Sequence, residues 1–348
     1  MFNKLNLQSG EGYLLTDKLY RKYFSGIDVD EGYLLITNKV VYLTDARYFS
    51  AVKEKLVSID IESVLFENYD SIKKQIQAQN LNTLYLDYES TTLAQNEIYK
   101  DFGVLLKNGT ENLQKVRQIK RDFEIDSIKK ACEIIQKVVN KVPSIIKTGI
   151  TEKQIADFIE EQVLLEGAEG LSFDTIVAFG KHAAVPHHQT GDTPLKENEC
   201  VLIDTGCLVN GYCSDITRTY FYGKPNEKFL TCYNAVKDAN LLALDKIKEG
   251  MEVSFADSIA REYLESKGLK EYFTHSLGHG VGLAIHEQPY LSKKGVGTFQ
   301  ENMAFTIEPG VYFDGEFGIR IEDTAILKNS KAQRLYSDSK ELIVIQLK

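Results

Sequence analysis

The chain has 348 residues, of which 43% are hydrophobic and 26% charged, as in an ordinary soluble globular protein. Its 41 basic and 50 acidic residues give a net charge of −9, which argues against a general nucleic-acid-binding surface. No run approaches the roughly 18 apolar residues of a membrane span, and the first residues lack the apolar core of a signal peptide. The five cysteines are odd in number and form no CxxC pair, which predicts reduced thiols in a cytoplasmic protein rather than structural disulfides.

The amino-terminal third predicts a small α/β domain, and the chain length favours two domains. Apolar runs at 32–37 and 40–44 flank Asn38-Lys39 and predict a β-hairpin. Further strands are predicted at 56–59 and 83–86, and helices at 71–78 and 93–102. The best turn signal is Asn108-Gly109-Thr110, and we expect domains at 1–114 and 115–348.

The remainder of the chain predicts long helices and further strands. Helical spacing of apolar residues covers 116–143, 152–166, 228–248 and 255–267. Thr151 and Ser254 are the expected starts of the second and fourth of these helices. Strand patterns return at 304–327 and 342–347. All six histidines lie within 181–287, so we expect the two ends of the chain to serve different purposes.

A first acidic hairpin is predicted over 201–223, where two apolar-rich runs flank Asn210-Gly211. Asn-Gly favours a tight two-residue turn, and folding there places Asp204 opposite or diagonal to Asp215. Two carboxylates on a largely apolar hairpin repel each other, and the pair persists if one is protonated or if a cation lies between them. Two unrelated acids at exposed strand ends are the alternative interpretation of this hairpin alone.

A second hairpin, over 305–327 with its turn near Asp314-Gly315, repeats the arrangement and pairs Glu308 with Glu322. Between the hairpins, His279 lies among glycines that permit close approach of backbone or ligand. Four carboxylates and one imidazole suit a pair of Mn²⁺, Fe²⁺, Co²⁺ or Zn²⁺ ions better than a thiolate zinc site would. Two such ions could hold a bridging hydroxide and polarise a carbonyl.

Five ordered blocks of the sequence resemble a known family. They are DTG at 204–206, SDITRT at 214–219, SLGHGVG at 276–282, TIEPGVY at 306–312 and RIEDT at 320–324. The blocks are similar to those of the pita-bread metallopeptidases, which include methionine aminopeptidase, aminopeptidase P and Xaa-Pro dipeptidase (prolidase). The amino-terminal part resembles the creatinase-type domain of the proline-specific members. The resemblance implies an α+β protein with a carboxy-terminal pita-bread domain and a smaller amino-terminal α/β domain.

The resemblance also implies a ligand set. Asp204 would chelate one metal ion, and Asp215 and Glu322 would bridge the two. His279 and Glu308 would hold the other ion, and Glu308 would also act as the acid/base. The implied cofactor is a pair of divalent metal ions, with Mn²⁺ as the first choice and Co²⁺, Fe²⁺ or Zn²⁺ as alternatives.

Further residues are implied around these ligands. His187 resembles the histidine that contacts the substrate near the scissile bond, with its neighbour His188 as the competing choice. His286 resembles the histidine that stabilises the developing oxyanion. Arg320 resembles the arginine close to the bridging Glu322.

Four other residues carry weaker expectations. Tyr212 and Thr217 resemble partners that hydrogen-bond to the ligands. His182 and His275 are expected to be surface or packing residues.

The implied function is hydrolysis of the bond between an amino-terminal residue and proline, by a cytoplasmic enzyme expected to form a homodimer. The preference for dipeptides (prolidase) or for longer chains (aminopeptidase P) stays open. A non-metal amidinohydrolase of the creatinase type and a non-catalytic binding member share the fold, but both differ by losing metal ligands, and all five positions are intact here. A dinuclear phosphoesterase would usually show more histidines and other motifs.

Overall fold

The structure is a computed structural model that describes residues 2–57 and 59–347. The chain divides into two compact units, with the boundary between Arg117 and Gln118. Both units combine helices with sheets, so the predicted α+β class is confirmed. In the part of the chain that the structure describes, none of the helices has the length and apolar character needed to cross a membrane.

The first unit is built around a six-stranded mixed sheet. Its elements in chain order are β1 (Glu11–Leu15), α1 (Lys18–Ser25), β2 (Tyr33–Ile36), β3 (Val40–Thr44), α2 (Phe49–Leu56), β4 (Ile61–Leu65), α3 (Tyr69–Ala78), β5 (Thr83–Leu86), α4 (Leu93–Lys100), β6 (Leu105–Asn108) and α5 (Thr110–Gln118). The strand order is β4-β3-β2-β1-β5-β6, and β2 pairs with β3 as the predicted antiparallel hairpin. The strand predicted near residue 83 and the helices predicted near 71 and 93 are confirmed.

The strand predicted at 56–59 is wrong. Leu56 ends helix α2, and the next strand begins only at Ile61. Val52 and Leu56, four residues apart, are both buried on one face of that helix, whereas Val57 is 82% exposed. The apolar run therefore combines the buried end of a helix with an exposed turn, and Ser58 within it lies outside the described residues.

The second unit contains the remaining helices and strands of the description. They are α6 (Asp122–Lys141), α7 (Glu152–Leu165), β7 (Ile176–Phe179), β8 (Glu199–Thr205), β9 (Leu208–Val209), β10 (Tyr212–Cys213), β11 (Ile216–Tyr222), α8 (Glu227–Lys246), α9 (Val253–Ser266), β12 (Gly278–Gly280), β13 (Glu287–Leu291), β14 (Ala304–Ile307), β15 (Gly310–Phe313), β16 (Phe317–Arg320), β17 (Asp323–Lys328), β18 (Lys331–Arg334) and β19 (Val344–Ile345). A four-stranded sheet has the order β19-β11-β8-β7, and a five-stranded sheet has the order β13-β12-β14-β17-β18. The second unit also contains two short hairpins, β9–β10 and β15–β16.

The single helix predicted over 116–143 is wrong, because the chain breaks it between α5 and α6. Ile119 forms a β-bridge with Met303, and the backbone N–H of Lys120 donates to the carbonyl of Asn302 at 3.0 Å. These backbone groups are bonded to the residues directly before β14, so they cannot make the hydrogen bonds of a continuous helix. At α9 the start also differs, since Glu252 rather than Ser254 is the N-cap.

Each large sheet of the second unit shares a hydrophobic core with a pair of helices. Ile128 and Ile135 of α6 and Ile159 of α7 are buried in one cluster with Val201 of β8. A second cluster joins α8 and α9 to the five-stranded sheet. Thr151 caps α7 in a capping box with Gln154, as its sequence position predicts. The packed helices hold the two sheets whose strand ends carry the predicted acids.

Candidate active site

The first pair of acids lies on the hairpin formed by β8 and β11. Asn210 and Gly211 have φ values of 52° and 75°, and positive φ at both central residues is what a tight type I′ hairpin turn requires. The strand register pairs Asp204 with Thr217. Asp215, two residues before Thr217, therefore lies diagonal to Asp204, and this predicted placement is confirmed.

The second pair of acids lies where one hairpin passes from the large sheet into a small one. Strand β14 pairs with β17 through Ile307 and Asp323, and β15 pairs with β16 through Gly310 and Arg320. The same register applies on both sides, so Glu308 and Glu322 in the intervening gap face each other. The predicted pairing of these two acids is therefore confirmed.

All eight of the predicted site residues line one cavity of about 310 Å³. They are His187, Asp204, Asp215, His279, His286, Glu308, Arg320 and Glu322. The same cavity has an apolar wall that includes Phe173, Ile176 and Ile285. Polar groups that converge beside an apolar wall are typical of a binding site for a small organic molecule.

His279 points its Nε2 atom into the carboxylates. That nitrogen lies 3.4 Å from Glu308 Oε1 and 3.6 Å from Asp215 Oδ2. The other ring nitrogen, Nδ1, lies 3.1 Å from the carbonyl oxygen of Gly280 and therefore carries the proton. Burial lowers the pKa of His279 to about 4, which keeps the ring neutral and Nε2 free to ligate. Ligand atoms of Asp215, His279 and Glu322 all lie within 4.8 Å of one another.

Three carboxylate oxygens in the cavity are buried and make no hydrogen bond to any residue that the structure describes. They are Asp204 Oδ1, Asp215 Oδ1 and Glu322 Oε1. Burial, together with the neighbouring carboxylates, raises the pKa of Asp215 and of Glu322 well above the usual range, and burial raises that of Glu308 to about 8. Unpartnered buried oxygens are costly unless a cation or proton completes them. The residues present therefore fit a divalent metal centre.

The partner oxygens of two of these acids are held in place. Arg320 Nη2 donates to Asp204 Oδ2 at 2.6 Å, and Thr217 Oγ1 donates to Glu322 Oε2 at 2.6 Å. Arg320 Nε in turn donates to Thr217 Oγ1 at 3.1 Å. Each carboxylate thus has one oxygen fixed by the protein and one without a hydrogen-bond partner among the described residues. The ion pair of Arg320 is made with Asp204, and Glu322 lines the same cavity.

Tyr212 does not take part in this arrangement. Its hydroxyl donates to Glu124 Oε1 at 2.8 Å, so the expected contact with a metal ligand is not made.

His275 lines the cavity, although the sequence analysis assigned it to the surface or to packing. Its Nδ1 lies 2.8 Å from the carbonyl oxygen of Ser276, and its Nε2 lies 2.8 Å from the hydroxyl of Tyr312. Burial lowers the pKa of His275 to about 3, so the ring is neutral, donates from Nδ1 and accepts at Nε2. Arg320 Nη1 donates to the same Tyr312 oxygen at 2.8 Å. Three residues separate His275 from His279, a spacing that carries no signal in a segment without clear periodicity.

The remaining histidines separate into two groups. His286 and His187 are exposed and line the cavity, and the ring of His286 lies 4.3 Å from that of His279 between centroids. His188 turns away, with its Nε2 2.9 Å from Glu152 Oε2, and His182 also contacts Glu152. Of the two neighbours weighed from the sequence, His187 is the one at the cavity.

Comparison with known proteins extends over both units. The sequence profile of metallopeptidase family M24 matches residues 126–329, and that of the creatinase/prolidase N-terminal domain matches residues 3–119. The Xaa-Pro dipeptidase of Pyrococcus furiosus is 37% identical over 327 residues, which covers 92% of each chain. The solved Xaa-Pro dipeptidase from Bacillus anthracis has a TM-score of 0.93 at 32% identity, covering 99% of this chain and 96% of that one. The X-Pro aminopeptidase from Thermotoga maritima MSB8 has a TM-score of 0.89 at 33% identity, covering 96% and 95%.

Proposed function

The chain belongs to metallopeptidase family M24, and on that premise we propose that it is a dinuclear-metal peptidase that hydrolyses the bond between an amino-terminal residue and proline. Membership confirms the resemblance to the pita-bread metallopeptidases. Relatives similar over more than nine tenths of the chain are named Xaa-Pro dipeptidase and X-Pro aminopeptidase, which supports the proposed substrate. The observation that carries the metal part of the proposal is the set of three unpartnered buried carboxylate oxygens.

Five side chains would hold the ions. Asp204 would bind one ion, and Asp215 and Glu322 would bridge to the second. His279 and Glu308 would complete the second. When bound, the two divalent ions, Mn²⁺ by preference, would supply an activated water and polarise the scissile carbonyl.

Arg320 and Thr217 would set the orientation of the ligands before any ion arrives. Each holds one oxygen of a carboxylate, and the other oxygen has no hydrogen-bond partner among the described residues. Such partners fix the direction of ligand atoms, and their loss typically lowers metal affinity. Arg320 is itself held by the Tyr312 hydroxyl, which is bonded to His275.

Proton transfer and charge stabilisation fall to groups at the cavity. Glu308 would accept a proton and deliver it to the prolyl nitrogen. His286 would donate a hydrogen bond to the developing oxyanion, and His187 would contact the substrate near the scissile bond. The apolar wall of Phe173, Ile176 and Ile285 offers a surface for the proline ring.

The test is a substrate panel on protein from which metal has been removed with a chelator. We expect activity to return best with Mn²⁺ or Co²⁺ and poorly with Mg²⁺, and to require proline at the second position. The rates of hydrolysis of Xaa-Pro dipeptides and of Xaa-Pro-Yaa peptides would be compared. The comparison decides between a dipeptidase and an aminopeptidase, the activities that name the two relatives. A full rate in excess chelator would contradict the proposal and favour the non-metal amidinohydrolase of the creatinase type. The cytoplasmic location and the homodimer stay predictions.

A further inference from the structure

A second cluster of histidines and a carboxylate lies outside the cavity. Glu152, His182 and His188 place their ligand-type atoms within 4.8 Å of one another. Glu152 is the first residue of α7, directly after the N-cap Thr151, and its side chain is completely buried. The two rings lie beside each other, with centroids 4.5 Å apart.

The carboxylate of Glu152 is fully satisfied by the chain itself. Its Oε1 accepts the backbone N–H of Phe179 at 3.1 Å and lies 2.8 Å from His182 Nδ1. Its Oε2 accepts the backbone N–H of Gly191 at 3.2 Å and lies 2.9 Å from His188 Nε2. A ring nitrogen at this distance from a carboxylate oxygen donates to it, so each oxygen receives two hydrogen bonds. All lone pairs of the Glu152 carboxylate are therefore used, and no cation is needed to satisfy them. Such a carboxylate holds in place the chain segment whose N–H groups it accepts.

The anchored segment carries His187. Phe179 and Gly191, which both bond to Glu152, are the two ends of a stretch of chain with His187 between them. The two histidines that contact Glu152 also belong to this stretch. At the cavity side, the carbonyl oxygen of Pro186 accepts a hydrogen bond from Arg320 Nη1 at 3.3 Å. The segment is therefore held at both ends by the Glu152 carboxylate, and next to His187 by Arg320.

We propose that Glu152, His182 and His188 are positioning residues that hold His187 in its reactive place. The proposal rests on the proposed function, in which His187 contacts the substrate. His188 reaches Glu152 from the position next to His187, so a loss of this bond allows the adjacent side chain to shift. Displacement of a reacting group by about 1 Å can cost about 10²-fold in rate. The cluster thus acts on the reaction without touching the substrate.

The test compares variants that remove or keep each donor. His188→Leu and His182→Leu remove it, whereas His188→Gln and His182→Asn keep an amide N–H at about the place of Nε2 and Nδ1, respectively. Gln189→Ala, an exposed neighbour, is the matched control. With metal-loaded protein well below its unfolding temperature, we expect His188→Leu to lower kcat/KM on the order of 10- to 100-fold. The amide variants should recover most of the loss, and Gln189→Ala should have no effect.

The diagnostic measurement is a double-mutant cycle with His187→Ala. If the cluster works through His187, His188→Leu should cause no further loss of kcat/KM in the His187→Ala background. A merely structural role would reduce kcat/KM equally in both backgrounds, and that result would overturn the proposal. So would a third bound Zn²⁺ ion that His182→Leu removes, because the cluster would then be a metal site. A His187→Ala protein with full activity removes the premise about His187 while leaving the metal-dependent peptidase intact.

Discussion

The second unit contains two clusters made of the same kinds of side chain, and they differ in how their oxygens are satisfied. In the cavity, Asp215 and Glu322 beside His279 each keep a buried oxygen without a hydrogen-bond partner among the described residues. In the other cluster, both oxygens of Glu152 receive two N–H groups each. Residue type and proximity are alike in the two places. The hydrogen bonds therefore distinguish a site that needs a ligand from one that holds a segment of the chain in place.

The difference extends to electrostatics. The cavity brings four acids together, and burial with mutual repulsion raises the pKa of Asp215 and Glu322. Glu152 has no acidic partner in its cluster and is surrounded by donors. The first arrangement is unstable without a cation or protons, whereas the second is complete as it stands. Substitutions in the two clusters should therefore impair different properties, namely hydrolysis in the cavity and stability at Glu152.

The largest expected effect is the loss of a bridging acid. Asp215→Ala or Glu322→Ala should abolish peptide hydrolysis, because a bridging ligand serves both ions. The fold should be largely retained, since each change removes a carboxylate that the metal-free protein stabilises poorly. Hydrolysis of an Xaa-Pro dipeptide and circular dichroism would be measured on the same samples. Full activity in a Glu322→Ala protein depleted of metal would contradict the dinuclear mechanism.

The next effect concerns a cavity residue that is not a ligand. His286→Ala should lower kcat roughly a hundredfold, since one oxyanion donor is worth on the order of 10²–10³ in rate. Both ions and the KM for an Xaa-Pro substrate should stay nearly unchanged, because the interaction exists mainly in the transition state. Steady-state kinetics with metal analysis separates the outcomes. Loss of an ion would identify His286 as a ligand, and an unchanged kcat would make it a packing residue, with His187 as the next candidate for the oxyanion role.

Removal of the Glu152 carboxylate should weaken the fold rather than the metal centre. Glu152→Leu leaves several N–H donors without an acceptor, and each buried unsatisfied group costs about 1–3 kcal/mol. We expect a clear fall in the free energy of unfolding, measured with denaturant on metal-free protein, and full metal occupancy of the folded protein. Glu161→Gln, an exposed acid on the same helix, is the control. Unchanged stability in Glu152→Leu would show that the four hydrogen bonds do not anchor the segment.

The smallest effect is a pH dependence that belongs to the cavity alone. Burial raises the pKa of Glu308 from 4.5 to about 8, so the folded metal-free protein keeps a proton that the unfolded chain releases at lower pH. This contribution to stability is present below about pH 4.5 and is lost as the pH rises through about 8. Unfolding temperatures with and without chelator should therefore diverge towards pH 8. Parallel curves over that range would contradict this account.

The two hairpins and their paired acids were predictable, because an Asn-Gly turn in one and an Asp-Gly turn in the other limit which residues face each other. Other features depend on contacts distant in sequence. The predicted long helix is interrupted at Lys120 by the backbone hydrogen bond of that residue to Asn302, and its side chain forms a buried ion pair with Glu287 at 2.7 Å. No local pattern reveals either contact. His188 bonds to a carboxylate 36 residues earlier. His275 lines the cavity and bonds to Tyr312, 37 residues later in the chain. Local periodicity predicts elements and registers, but it does not predict which buried polar groups meet.

The central claim is that the two clusters differ in kind, and metal stoichiometry tests it most directly. The purified protein would be saturated with Mn²⁺ or Zn²⁺, freed of excess metal and analysed for ions per chain, beside Glu322→Ala and His188→Leu. We predict two ions in the parent protein, fewer in Glu322→Ala, and two in His188→Leu. Two ions that survive Glu322→Ala, or an ion that is lost with His188, would contradict the account.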